Sequence, residues 1–63
     1  MNRTLNVGDI VFDKRYLLYE IINEIDYDKD LIVVRGLFAD DDLYTYTFKL
    51  FYDVYDMISS VGD

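Results

Sequence analysis

A chain of 63 residues with thirteen acidic and six basic side chains, net charge −7, and neither Cys nor His excludes disulfides, thiolate or imidazole metal sites and catalysis by His or Cys. At this size a single domain spanning 1–63 buries only about 60% of its unfolded surface, so self-association is the expected supplement to its core. The 52% hydrophobic, 17% aromatic composition is too apolar for disorder, and the acidic excess opposes nucleic acid and anionic lipid while favouring a basic partner.

Val7-Gly8-Asp9-Ile10-Val11-Phe12 reads as a turn into a short strand, with Gly8 supplying a backbone angle other residues resist. Asp13-Lys14-Arg15 is a polar break. Over 16–26 two periods compete: Leu17, Leu18, Ile21, Ile22 and Ile25 fit a helical stripe, whereas a strand sets Leu17, Tyr19, Ile21 and Ile25 against Glu20, Glu24 and Asp26. The turn-like Tyr27-Asp28-Lys29-Asp30 and the β-branched Leu31-Ile32-Val33-Val34 that follow favour the strand and a hairpin. Leu43–Leu50 alternates, with Tyr44, Tyr46, Phe48 and Leu50 on one face and Thr45, Thr47 and Lys49 on the other. Asp40, Asp41 and Asp42 then fall in or beside the turn of a second hairpin. Phe51, Val54, Tyr55 and Ile58 have the spacing of a helix face, so a short helix is expected over about 51–60. The expected fold is mainly β (α+β): a small antiparallel sheet or SH3-like barrel of about four strands with a short C-terminal helix.

Catalytic and metal chemistry find little support. Asp26-Tyr27-Asp28-Lys29-Asp30 has the opening spacing of a calcium loop, but the required Gly and bidentate Glu positions hold Leu31 and Leu37. Adjacent aspartates at 40–42 point to alternate sides of a strand and do not readily converge on a cation. The only serines, Ser59 and Ser60, lie near the C-terminus, and a domain this small hardly encloses a cleft for paired carboxylates. No enzymatic activity, metal or cofactor is expected. The N-terminal residues lack the apolar core of a signal peptide and no run approaches the roughly 20 apolar residues of a membrane helix, so the expected location is the cytoplasm.

The remaining features are charge and tyrosine. On a strand, Glu20, Ile22, Glu24 and Asp26 would share a face at about 6.6 Å spacing, comparable to successive phosphates. Asp28, Asp30, Asp40, Asp41, Asp42, Asp53 and Asp56 would extend that negative field, and a homodimer would double its length. Tyr16, Tyr19, Tyr44, Tyr46, Tyr52 and Tyr55 are too many for one small core, and tyrosine is enriched where proteins meet. The candidate partner-binding residues are these carboxylates with Tyr44 and Tyr52.

VGDIVF, YEIINEI and LIVVRG, within residues 7–38, resemble the first strands of small SH3-like barrels, including KOW-type domains. In size, charge, tyrosine content and lack of catalytic residues the chain is similar to small acidic bacteriophage proteins that disable host DNA-binding proteins, including inhibitors of HU-type nucleoid proteins. That resemblance implies a DNA mimic, dimeric, acting in the host cytoplasm by occupying Lys and Arg groups that otherwise neutralise phosphate. It carries no motif and transfers no binding residues. The alternative is an SH3-like protein-protein interaction module whose contact is aromatic and apolar, with the charge serving solubility.

Overall fold

The computed structural model describes residues 5–59. Five antiparallel strands form one open sheet in the order β4-β3-β2-β1-β5, where β1 is Ile10–Asp13, β2 Leu18–Asp26, β3 Leu31–Gly36, β4 Ala39–Thr47 and β5 Tyr55–Ser59. A two-turn helix, α1 (Phe48–Val54), joins β4 to β5. The fold is therefore mainly β with one short C-terminal helix, as the alternation along the chain implies.

The entry to β1 behaves as the Gly-Asp pair suggests. Gly8 has φ 98°, a region open to glycine, and its N–H donates to the Ile22 carbonyl at 2.9 Å. Ile22 N–H in turn donates to the Asp9 carbonyl at 2.9 Å, tying this segment to β2.

The β2–β3 ladder explains why Ile22 and Ile25, three residues apart, both pack in the core. Ile22 pairs with Val34 but Glu24 pairs with Val33, so Asn23 is an extra residue and forms a bulge. Beyond it the side-chain parity flips: Ile25 opposite Ile32 turns inward while Glu24 turns out. The expected acidic row Glu20, Ile22, Glu24 and Asp26 on one face is thus corrected, because a strict period of two fails at a bulge.

The C-terminal part also differs from the period-based reading. The helix begins at Phe48 and ends at Val54, and residues 55–59 are a fifth strand rather than further helix. Thr47 supplies the reason at one end, its hydroxyl accepting from Leu50 N–H at 3.3 Å as an N-cap. At the other end β1 offers an unpaired edge, which Tyr55–Ser59 fills with Val11 opposite Met57 and Asp13 opposite Tyr55. Phe51 and Val54 keep the expected inward face of the helix, but Ile58 is exposed on β5.

Between β3 and β4 the ladder runs from Arg35 opposite Leu43 to Gly36 opposite Ala39. Asp40, Asp41 and Asp42 are the residues skipped, so the acidic triplet lies beside the Leu37-Phe38 turn as a wide irregularity of β4.

The core lies on one face of the sheet, under α1 and Leu5. Val11, Ile22, Ile32, Val34 and Phe51 are essentially fully buried, with Leu5 and Tyr55 close behind. Each such side chain contributes about 1.5–3 kcal/mol of burial. Phe51 stacks on Tyr55 with ring centroids 4.9 Å apart, and Tyr46 meets Tyr55 edge-on at 5.4 Å. No helix among the described residues is long and apolar enough to cross a membrane.

Candidate functional site

α1 covers only part of the sheet's core face. Beyond it lies an open groove whose first part, about 300 Å³, is lined by Asp13, Tyr16, Leu18, Glu20, Tyr44 and Tyr46. A second part of about 270 Å³ continues past Leu18, Glu20 and Tyr44 to Gly36, Phe38 and Asp42. The register explains this set: Asp13 faces Leu18, Glu20 faces Gly36, and Val34 faces Tyr44, so all belong to the face that carries the core. Their side chains stand where the helix no longer reaches. Leu18 stays 55% exposed, Tyr44 49% and Phe38, at the hairpin turn, 95%.

Two buried carboxylates form the floor. Glu20, only 6% exposed, accepts a hydrogen bond from the Tyr55 hydroxyl. Burial, reinforced by that carboxylate, pushes the Tyr55 phenol well above its ordinary value. Asp13 is bound by Arg15: Nε reaches Oδ1 at 3.2 Å, Nη2 reaches Oδ2 at 3.0 Å, and the Arg15 backbone N–H adds a 2.8 Å bond to Oδ1. The same Nη2 donates to the Tyr46 hydroxyl at 2.8 Å, and the guanidinium carbon stands 5.2 Å from the ring centroids of both Tyr16 and Tyr46. One guanidinium thus meets a carboxylate and two aromatic faces.

Burial alone would raise the Asp13 carboxyl, but the hydrogen bonds and charge of Arg15 bring it below the usual value. A depressed folded value means that its contribution to stability is present above the ordinary carboxylate range and is lost as pH falls through the folded value. Acid unfolding of the wild type should therefore include a component below about pH 4 that Asp13→Asn lacks. Parallel acid-denaturation curves measure it, and superimposable limbs would contradict the assignment.

The turn 14–17 presents this edge. Leu17 N–H bonds to the Asp13 carbonyl at 2.8 Å, and Leu17 adopts φ 57°, a left-handed conformation that costs a bulky residue about 1–2 kcal/mol. Leu17 itself points to solvent, 71% exposed, between the groove residues Tyr16 and Leu18.

The residues proposed from sequence separate into groups. Glu20 is in the groove but buried against Tyr55, while Asp42 and Tyr44 are exposed along it. Asp26, Asp28 and Asp30 gather at the β2–β3 turn, where Asp26 Oδ1 accepts from Lys29 N–H at 3.1 Å, and exposed Glu24 precedes them on β2. Asp53 and Tyr52 are exposed on α1, and Asp56 on β5 pairs with Lys14 at 3.7 Å. The side chains of Asp40 and Asp41 lie outside the described residues. Sequence reasoning passes over Asp13, Arg15, Leu18 and Phe38, and places Tyr16 only among the surplus tyrosines, not among the candidate site residues. The available signal is a base flanked by a carboxylate and a ring, Asp13, Arg15 and Tyr16, which straddles the boundary between the polar break Asp13-Lys14-Arg15 and the segment that opens at Tyr16.

Among the described residues no group of three or more carboxylates is arranged to hold a metal ion. No family model, characterised protein or solved structure matches the chain.

Proposed function

We propose that this chain is a non-catalytic interaction protein that captures a basic protein, and that its partner is a DNA-binding protein of the HU type whose DNA-facing surface it covers. One observation carries the reading. Carboxylates at Glu24, Asp26, Asp28, Asp30, Asp42 and Asp53 stand at or near the surface outside the ion pairs Lys14–Asp56 and Arg15–Asp13. With net charge −7, they give the molecule a negative field that attracts a basic surface. Because the β2 bulge breaks the single acidic row, the mimicry rests on the density of charge rather than on a phosphate-like spacing along one strand.

Replacing Asp26, Asp28 and Asp30 together by Asn tests this. Affinity for an HU-type protein, read by calorimetry at low salt, should fall by about tenfold or more, given roughly 0.5–1 kcal/mol for each lost contact. Unchanged affinity would remove the acidic turn from the interface.

A second reading, an interaction module with an aromatic contact, is favoured by the exposure of Tyr16, Leu18, Tyr44 and Phe38 along one groove. It predicts indifference to the Asn replacements and strong sensitivity to Tyr44→Ala.

The acting unit in this proposal is a homodimer. Support comes from the open sheet, in which β4 and β5 are the outermost strands and so offer backbone edges for pairing with a second copy. Sedimentation equilibrium should give twice the 7.5 kDa chain mass; a single 7.5 kDa species across the working concentrations would exclude the dimer.

A further inference from the structure

We propose that the part of the groove between Asp42, Tyr44 and Phe38 is a receptor for an arginine on an extended segment of a basic protein partner. The inference rests on the reading that the partner is basic, and goes beyond it by naming the recognised side chain and where it binds.

The chain supplies the pattern itself. Beside the groove, Arg15 stands over the rings of the groove residues Tyr16 and Tyr46 and is bonded to Asp13 and to the Tyr46 hydroxyl. The adjoining part repeats the same groups: the Asp42 carboxylate, the Tyr44 ring, and Phe38, which is nearly wholly exposed. No basic side chain of the described residues lines it. Gly36 lies opposite Glu20 on its floor and, having no side chain, leaves the space open. Leu18, shared by both parts, offers apolar surface to the residue next to the arginine.

Guanidinium suits this site better than ammonium. Its plane stacks on a ring while its fork engages a carboxylate, and it sheds water at lower cost. The net charge of −7 adds a general attraction for such a segment.

The test is a titration of the isotope-labelled protein with a blocked hexapeptide of alternating Arg and Leu, beside a twin in which Lys replaces Arg. Amide shifts should centre on Leu18, Gly36 and Tyr44. The Arg peptide should bind about fivefold or more tightly than the Lys peptide, and Tyr44→Ala and Asp42→Asn should each weaken it about three- to tenfold. Leu50→Ala, exposed on α1 and outside the groove, should change nothing, and dispersed spectra of the variants confirm their folding. Shifts centred instead on Asp26, Asp28 and Asp30 would overturn the groove while leaving the basic partner in place. Equal affinity for the two peptides, or indifference to both groove variants, would also overturn it. Binding of neither peptide would overturn the groove and count against the basic-partner reading as well.

Discussion

Phe51→Ala should leave the protein largely unfolded at room temperature. The ring is fully buried, it is the one buried side chain α1 contributes, and it stacks on Tyr55 at 4.9 Å. Truncating such a ring costs about 3–5 kcal/mol in lost transfer energy and cavity. A core of this size rarely supplies more than about 3–5 kcal/mol in total, so the loss equals the whole stability. Far-ultraviolet circular dichroism and urea titration measure it. Phe51→Leu, which keeps most of the volume, should retain a cooperative transition at lower urea. A cooperative, near-wild-type transition for Phe51→Ala would show that α1 is not what closes the core.

The next largest effect is expected at Tyr55. Tyr55→Phe keeps the ring packed against Phe51 and Tyr46 but removes the hydroxyl that donates to buried Glu20. Leaving a buried acceptor without that donor costs about 1–3 kcal/mol. Replacing both partners, as in Glu20→Leu with Tyr55→Phe, should cost less than the sum of the single changes. A double-mutant cycle in urea reads this coupling, and additive costs would mean the hydrogen bond carries no coupling. The same phenol has an alkaline signature. Its folded value is raised, so its contribution to stability is present below about pH 10 and is lost as pH rises above that. Tyr55→Phe should flatten that alkaline loss.

Much of the sheet is legible in the residues because alternation and turn chemistry are local. Gly8 and Asp9, the β-branched run Leu31–Val34 and the alternation over Leu43–Leu50 lead to β1, β3 and β4 without reference to the rest of the chain, although β4 ends at Thr47 and Phe48 to Leu50 already belong to α1. Tyr55–Ser59 is harder, since Phe51, Val54, Tyr55 and Ile58 satisfy a helical period while Tyr55 and Met57 also satisfy a strand. What decides is the free edge of β1, a long-range fact. The bulge at Asn23 is invisible for the same reason: only pairing with β3 reveals that Ile22 and Ile25 both turn inward.

The site was legible in its charge but not in its geometry. The exposed carboxylates follow from composition, yet the sequence could not separate Glu20, buried beneath Tyr55, from Asp42 on the groove rim. Nor could it show that Asp13, beside a run of polar residues, is buried and tied to Arg15. Groove residues come from β1, the turn after it, β2, β3 and β4, and only the register of the folded sheet brings them to one face.

The central claim, that the chain competes with DNA for a basic protein, is met most directly by displacement. A fluorescently labelled duplex bound to an HU-type protein at low salt is titrated with the chain while anisotropy is followed. Anisotropy should fall to that of free DNA, with the chain losing potency as salt rises because salt screens the ionic contacts proposed. Anisotropy that stays at the bound value, even at low salt and excess chain, would contradict the account.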